Sequence, residues 1–156
     1  MPAIMPNPQP ELDLLDVNVW LALVDENHVH HARARHYWEQ ESALQIAFTR
    51  VTMLGFVRLL THLVVMQGKP FTAREAWSAY LAFRQLPEVV WIGEYDRDAN
   101  DADALLERWL DTTNFTTLQW TDAHLASIAL THGCRLVSFD GIYRKFQPLA
   151  FLHLIP

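Results

Sequence analysis

The sequence predicts an α/β fold with a central, mostly parallel sheet, on three observations. Short apolar runs alternate with helical patterns along the whole chain, turn or capping residues bound each run, and three of the runs are followed by an aspartate. With 156 residues, 51% of them hydrophobic and 19% charged, one packed domain is expected. A chain of this size buries roughly two-thirds of its unfolded surface.

The elements follow in order. Met1–Pro10 holds four prolines and no charged side chain, and is expected to be a loose arm (1–10) before a single domain (11–156). Glu11–Asp16 reads as a strand, and Val17–Val24 as a short helix closing near Asp25 and Asn27. A second helix is expected from Val29 to Glu41, and a second strand over Leu44–Phe48. From Thr49 or Arg50 a long helix runs to about Met66, because Met53, Phe56, Val57, Leu60 and Val64 recur at three- and four-residue steps. Gly68 and Pro70 then stop it. Thr72 followed by Glu75 is a capping box and opens a helix to about Gln85. Pro87 precedes a third strand over Val89–Ile92, and Asp96–Asp111 is a helix with an acidic start. Thr116–Trp120 reads as a fourth strand, Thr121–His132 as a helix closed by Gly133, and Arg135–Phe139 as a fifth strand. Ala150–Ile155 adds a last edge strand.

Composition narrows the function. No signal-peptide pattern opens the chain and no stretch of about 18 apolar residues follows, so a soluble cytoplasmic protein with no membrane partner is expected. Cys134 is alone, which excludes an internal disulfide or a cysteine-based zinc site and leaves a core thiol. The formal net charge is −6, whereas proteins that grip nucleic acid through phosphate usually carry a basic surplus. A nucleic-acid role therefore needs a local basic patch or bound divalent cations. Neither a dinucleotide-binding fingerprint nor a P-loop occurs.

In open parallel sheets, sites form outside the carboxyl ends of the strands. Asp16, Asp122 and Asp140 follow three of the expected strands. Each alone has a structural explanation: Asp16 as a helix cap, Asp122 as a first-turn acid, Asp140-Gly141 as a turn. Together they would point into one crevice, where clustered carboxylates repel unless a cation offsets them. Mg2+ or Mn2+ suits such hard oxygen ligands, and the matching chemistry is metal-assisted phosphodiester hydrolysis. Asn18 stands two residues beyond Asp16, where it would orient a ligand or a water, or simply be a polar residue at a helix start.

These residues, in this order, resemble the PIN-domain ribonucleases, and among them the VapC-type toxins. The resemblance runs through LLDVNVWLAL with HVHHARARHYW, TRVTMLGFVRLLTH and TDAHLASIALTHGCRLVSFD, nearly the whole chain from Leu12. It implies a PIN-like three-layer α/β/α sandwich and a Mg2+- or Mn2+-dependent endoribonuclease acting on structured RNA such as tRNA. It also implies a homodimer held in check by a cognate antitoxin. By position, Asp16, Asp122 and Asp140 match three of the family's acids. The family's fourth acid, a glutamate, is expected at Met53 in TRVTMLGF, and a thioether is a poor ligand for a hard cation. That departure, with the acidic net charge, keeps a second reading open: a PIN-fold binding module for RNA or a protein partner with weakened catalysis.

The remaining signals are weaker. His28, His30 and His31 do not share a helix face and read as surface residues. Arg50 and Arg58 on the long helix, and Arg144 with Lys145 just after Asp140, are the candidate contacts to RNA phosphate or to an antitoxin. Trp20, Trp38, Trp77 and Trp109 fall in helical patterns and read as core or interface.

Overall fold

A computed structural model of the chain describes residues 9–94, 99–111 and 115–156. The start expected for the helix at Asp96 and most of the N-terminal arm lie outside the described residues. Gln9 and Pro10 are tied down, through Gln9 Nε2 to the Ser42 carbonyl (2.7 Å) and the Leu44 N–H to the Pro10 carbonyl (3.1 Å).

Five parallel strands form one sheet: β1 (Leu12–Leu15), β2 (Gln45–Phe48), β3 (Val89–Trp91), β4 (Arg135–Ser138) and β5 (Phe151–His153), in the spatial order β3-β2-β1-β4-β5. Among the described residues, six α-helices accompany them: α1 (Val17–Val24), α2 (His31–His36), α3 (Arg50–Leu60), α4 (Ala73–Arg84), α5 (Ala99–Leu110) and α6 (Trp120–Thr131).

The two-residue period of the strands sorts their side chains into two cores. Leu15, Ile46, Phe48 and Val137 face α1–α4, where Trp20 stacks on Phe48 with ring centroids 3.8 Å apart. Leu14, Ala47 and Leu136 face α5 and α6, together with Trp109, Tyr143 and Phe146. Strands covered on both sides explain why these runs are apolar throughout rather than alternating. Cys134 lies in the second core, where burial pushes its thiol pKa up to about 12, as expected of an inert packed thiol.

The order of strands fixes where a site can form. From β1 the chain steps outward to β2 and β3, then returns to the other side of β1 to place β4 and β5. The reversal lies between β1 and β4, and their carboxyl ends border the crevice where open α/β sheets bind ligands.

Two expected elements differ. Thr116–Trp120 is not a strand. Thr116 and Gln119 form a capping box, Thr117–Gln119 is a turn of 3-10 helix, and α6 begins at Trp120. The alternation in that segment imitates a strand, yet Leu118 is 87% exposed and so anchors nothing. Asp122 therefore sits in the first turn of α6, not at a strand end. The second difference is α3, which ends at Leu60 rather than near Met66. Thr61 turns its hydroxyl back to the Val57 and Arg58 carbonyls, and the Phe71 N–H takes the Leu60 carbonyl. Val64 keeps the helical spacing but is 77% exposed.

Candidate functional site

The site is assembled where β1 and β4 end side by side. The Asp16 N–H donates to the Val137 carbonyl at 2.9 Å, so the residue after β1 is held against β4. Asp16 is extended (φ −63°, ψ 154°) and caps α1, its Oδ1 accepting from the Val17 N–H at 2.7 Å. Its Oδ2 accepts from the Ser138 hydroxyl at 2.8 Å and, longer, from the Asn18 amide at 3.3 Å. Ser138 is buried at the end of β4 and organises the crevice. Besides reaching Asp16, its oxygen accepts from Asn18 Nδ2 (3.0 Å) and from the Asp140 N–H (2.9 Å). Asn18 is thus pinned on both sides, its Oδ1 taking the Phe139 N–H at 3.3 Å.

Asp140 opens the 3-10 segment Gly141–Lys145 with Oδ1 on the Ile142 N–H at 3.0 Å. That segment delivers Tyr143 into the second core, where its hydroxyl donates to Asp122 Oδ1 at 3.2 Å. The same hydroxyl also acts on Asp16, so a phenol links the acid of β1 to the acid of α6.

The electrostatics are those of anions held together without compensation. Burial raises the Asp16 pKa above its ordinary value, only partly offset by the Ser138, Val17 and Tyr143 hydrogen bonds, and Asp140 adds repulsion. Asp122 is pushed up to about 6 by burial, by Asp16 and by Asp140, against the Tyr143 hydrogen bond. Tyr143 is held well above 10 by burial and the two acids, so it stays a hydrogen-bond donor. Asp16, Asp122, Asp140 and Asn18 are therefore brought to one crevice, where Asp140 acts on both Asp16 and Asp122 and Asp16 acts on Asp122.

Met53 brings no carboxylate to it. Its side chain is 4% exposed and packs in the core with Phe56 and Trp20, so a glutamate there would be buried in an apolar cluster. Gly55 of α3 packs closely on Val17, where a Cβ would stand 2.8 Å from Val17 Cγ2. Among the described residues, α3 supplies no carboxylate to the crevice.

The expected basic contacts separate. Arg58 lines an apolar groove of about 780 Å3 between α3 and α4, which also includes Leu54, Gly55, Trp77, Val17 and Thr121. Val17 and Thr121 adjoin Asp16 and Asp122, so the groove opens beside the acids. Arg144 is exposed just beyond Gly141, whereas the Lys145 amine donates to Gln119 Oε1 at 3.1 Å. The Arg50 guanidinium lies over the Trp91 ring, its carbon 4.7 Å from the centroid. The histidines divide too. His30 lies flat against Phe139 with centroids 4.5 Å apart, beside the Asp140 turn, and His31 Nδ1 lies 2.7 Å from the Ala22 carbonyl.

Three residues escaped the sequence. Ser138 and Tyr143 lack any local signal, because their partners Asp16 and Asp122 are distant in the chain. Glu94 follows β3, accepts from the Val51 N–H at 2.6 Å and lies 3.7 Å from His124 Nε2. Its position in the first turn of α3 is what the helix dipole favours.

A parallel sheet with acids gathered at its switch point defines a class, the α/β proteins that bind ligands at the carboxyl rim. Within that class the sequence model of the PIN domain matches residues 14–147. Ribonuclease VapC41 of Mycobacterium tuberculosis is 35% identical over 143 residues, covering 85% of this chain and 92% of that protein. Ribonuclease VapC39 of the same organism is 34% identical over 129 residues, covering 82% and 88%. The chain belongs to the PIN-domain family, in its VapC-type branch. Two solved structures share the fold. Mycobacterium tuberculosis VapC20, described as a Sarcin-Ricin loop cleaving toxin, has a TM-score of 0.64 at 18% identity, over 92% of this chain and 99% of that one. VapBC2 from Rickettsia felis, bound to a DNA fragment from their promoter, has a TM-score of 0.66 at 12% identity, with the same coverage.

Proposed function

We propose that the protein is a Mg2+- or Mn2+-dependent endoribonuclease, the toxin of a toxin–antitoxin pair, with Asp16, Asp122 and Asp140 holding the cation. The observation that carries this reading is the gathering of Asp16, Asp122 and Asp140 at the switch point, where burial first and neighbouring carboxylates second raise the pKa of Asp16 and Asp122. The donor set fits a hard cation: carboxylates, with the Asn18 amide and the Ser138 and Tyr143 hydroxyls around them. Among the described residues no three acid, histidine or cysteine side chains converge at direct ligating distance. A cation here would keep part of its hydration shell, which Mg2+ does readily. When bound, such an ion supplies Lewis-acid stabilisation of phosphate charge and lowers the pKa of water.

The chain's own residues have separate tasks in this reading. Ser138 and the Val17 N–H fix the Asp16 carboxylate, Asn18 locks the turn after β4 against it, and Tyr143 holds Asp122 toward Asp16. The substrate is structured RNA, tRNA among the candidates. RNA incubated with the protein should be cut in Mg2+ or Mn2+ and left whole in EDTA; equal cutting in EDTA would overturn the metal's part.

The pH dependence follows from the same electrostatics. A carboxyl whose folded pKa is raised binds more protons in the folded state between the two pKa values. Its stabilising contribution is therefore present below about pH 4 and lost as pH rises through about 6. Metal-free protein should melt at a higher temperature at pH 5 than at pH 7, and Asp122→Asn should shrink that difference. Mn2+ should raise the melting temperature more at pH 7 than at pH 5, because protons compete for the same oxygens. A metal-free melting temperature that falls from pH 7 to pH 5 in wild type and is unaltered by Asp122→Asn would count against the uncompensated acids.

The antitoxin, on this reading, lays an apolar segment in the groove between α3 and α4, where it would also cover the approach to Asp16 and Asp122. Homodimerisation belongs to the same proposal: Leu63, Val64 and Val65 are exposed beyond α3. Sedimentation reads that state directly. A second reading, a binding module without catalysis, is favoured by one observation, that α3 (Arg50–Leu60) contains no acid. Calorimetry with Mn2+ separates the two: saturable binding lost in Asp140→Asn supports the nuclease, and no binding supports the module.

A further inference from the structure

We propose that Arg50, Arg84 and Trp91 form a subsite for a backbone phosphate of the RNA that enters the acidic crevice; this rests on the nuclease reading above. Trp91 ends β3, in register with Phe48 of β2, and the Ile92 N–H donates to the Phe48 carbonyl at 3.0 Å. The indole therefore stands on the carboxyl rim of the sheet, the rim that carries Asp16 and Asp140. It is two strands from β1, roughly 10 Å across the sheet at the usual strand spacing.

Two guanidinium groups gather on this ring. The Arg50 carbon lies 4.7 Å from the Trp91 centroid and that of Arg84 lies 5.7 Å from it. They come from different elements, Arg50 from the first residue of α3 and Arg84 from the last of α4. Three other arginines are matched with acids: Arg33 with Glu41, Arg35 with Glu39, Arg135 with Asp13. Among the described residues, no carboxylate or hydrogen-bond acceptor meets Arg50 or Arg84. Glu94, the acid near the start of α3, is instead turned to the Val51 N–H and His124.

Two like charges drawn to one indole repel each other, and a shared anion removes that cost. Placement over the indole restrains each guanidinium near the rim, and a guanidinium whose N–H groups meet no acceptor within the protein is suited to a phosphate, which it recognises with paired hydrogen bonds. RNA is the ligand class that fits. A chain with net charge −6 repels a polyanion from most of its surface, so a strand reaching the acids needs a local cationic anchor on the same rim. The chain carrying the anchor is pinned, since the α3 N-terminus is capped by Thr49 and Thr52 and by Glu94.

The test is RNA affinity in Asp16→Asn protein, which binds without cutting, using fluorescein-labelled bulk tRNA and anisotropy over a KCl series. Adding Arg50→Ala with Arg84→Ala should weaken binding about tenfold and reduce the slope of log affinity against log salt by about 1.5, the signature of two lost phosphate contacts. Arg50→Lys should keep the slope while losing part of the affinity, because charge remains and the stacked fork does not. Circular dichroism of the double variant confirms folding. An unchanged affinity and slope in the double variant would overturn the subsite, including the case where antitoxin capture alone is lost, which would assign the pair to a protein partner. If the Asp16→Asn protein binds no tRNA at all while folded, the nuclease reading itself fails, an outcome distinct from failure of the subsite.

Discussion

Replacing Asp16 with asparagine is expected to lower metal-dependent RNA cleavage by at least about a thousandfold, roughly 4 kcal/mol of transition-state stabilisation, while leaving the fold intact. Shape is nearly conserved, and the amide oxygen can still accept from the Val17 N–H. What disappears is the negative charge, and with it an acceptor: an amide nitrogen in the second position would face the Ser138 hydroxyl and the Asn18 amide, both donors to Asp16 now. In the proposed metal site, the cation would lose an anionic ligand. Stability should move the other way. Burial and Asp140 already raise the Asp16 pKa, so the charge is unfavourable in the metal-free fold. Metal-free Asp16→Asn should therefore melt no lower than wild type. Initial cleavage rates and thermal melts on the same preparations check both halves; wild-type rates in the variant would remove Asp16 from the chemistry.

That opposition between activity and stability marks which parts of the site were legible. Asp16 and Asp140 were, because a strand that ends in an acid is a local pattern, and both strands lie where apolar runs put them. The Thr72–Glu75 box was legible for the same reason and forms as read, with both reciprocal bonds present. Thr116–Trp120 misled because alternation counts side chains without knowing which face is buried; the Thr116–Gln119 capping box was the competing local signal and it prevails. The long helix failed at Thr61 because periodicity carries no term for a hydroxyl that closes on the helix's own carbonyls. Met53 reads two ways in sequence, as the position of the family's fourth acid and as a member of the core stripe, and the structure packs it in the core cluster. Ser138 and Tyr143 were out of reach, since nothing near either residue in sequence records a partner on another element.

The largest stability effect is expected not at the site but beneath it, at Asp13. This carboxylate is fully buried on the α1–α4 face of β1, directly opposite Arg135 in the register of β1 and β4. Arg135 grips it with two N–H groups, at 2.8 and 2.9 Å, and extends to the Glu41 carbonyl at 2.8 Å. The Tyr37 hydroxyl (2.6 Å) and the Ala43 N–H (2.9 Å) complete its coordination. Asp13→Ala would strand a partly buried guanidinium, a buried phenol and a backbone N–H together. Breaking a buried pair in this way costs about 3–5 kcal/mol, a large share of the roughly 5–15 kcal/mol that holds a domain folded. For this chain length the melting temperature should fall by roughly 10 °C or more. Tyr37→Phe keeps the ion pair and removes one hydrogen bond, so about 1–2 kcal/mol is expected from it. The contrast matters for function, because Asp13 and Arg135 fix how β1 lies against β4. That register sets the bond from the Asp16 N–H to Val137, and so the juxtaposition of Asp16 with Ser138 and Asp140. Denaturant melts of the two variants decide the matter. A loss below about 1 kcal/mol in Asp13→Ala would mean that hydrophobic packing alone sets the register, and that the ion pair merely accompanies it.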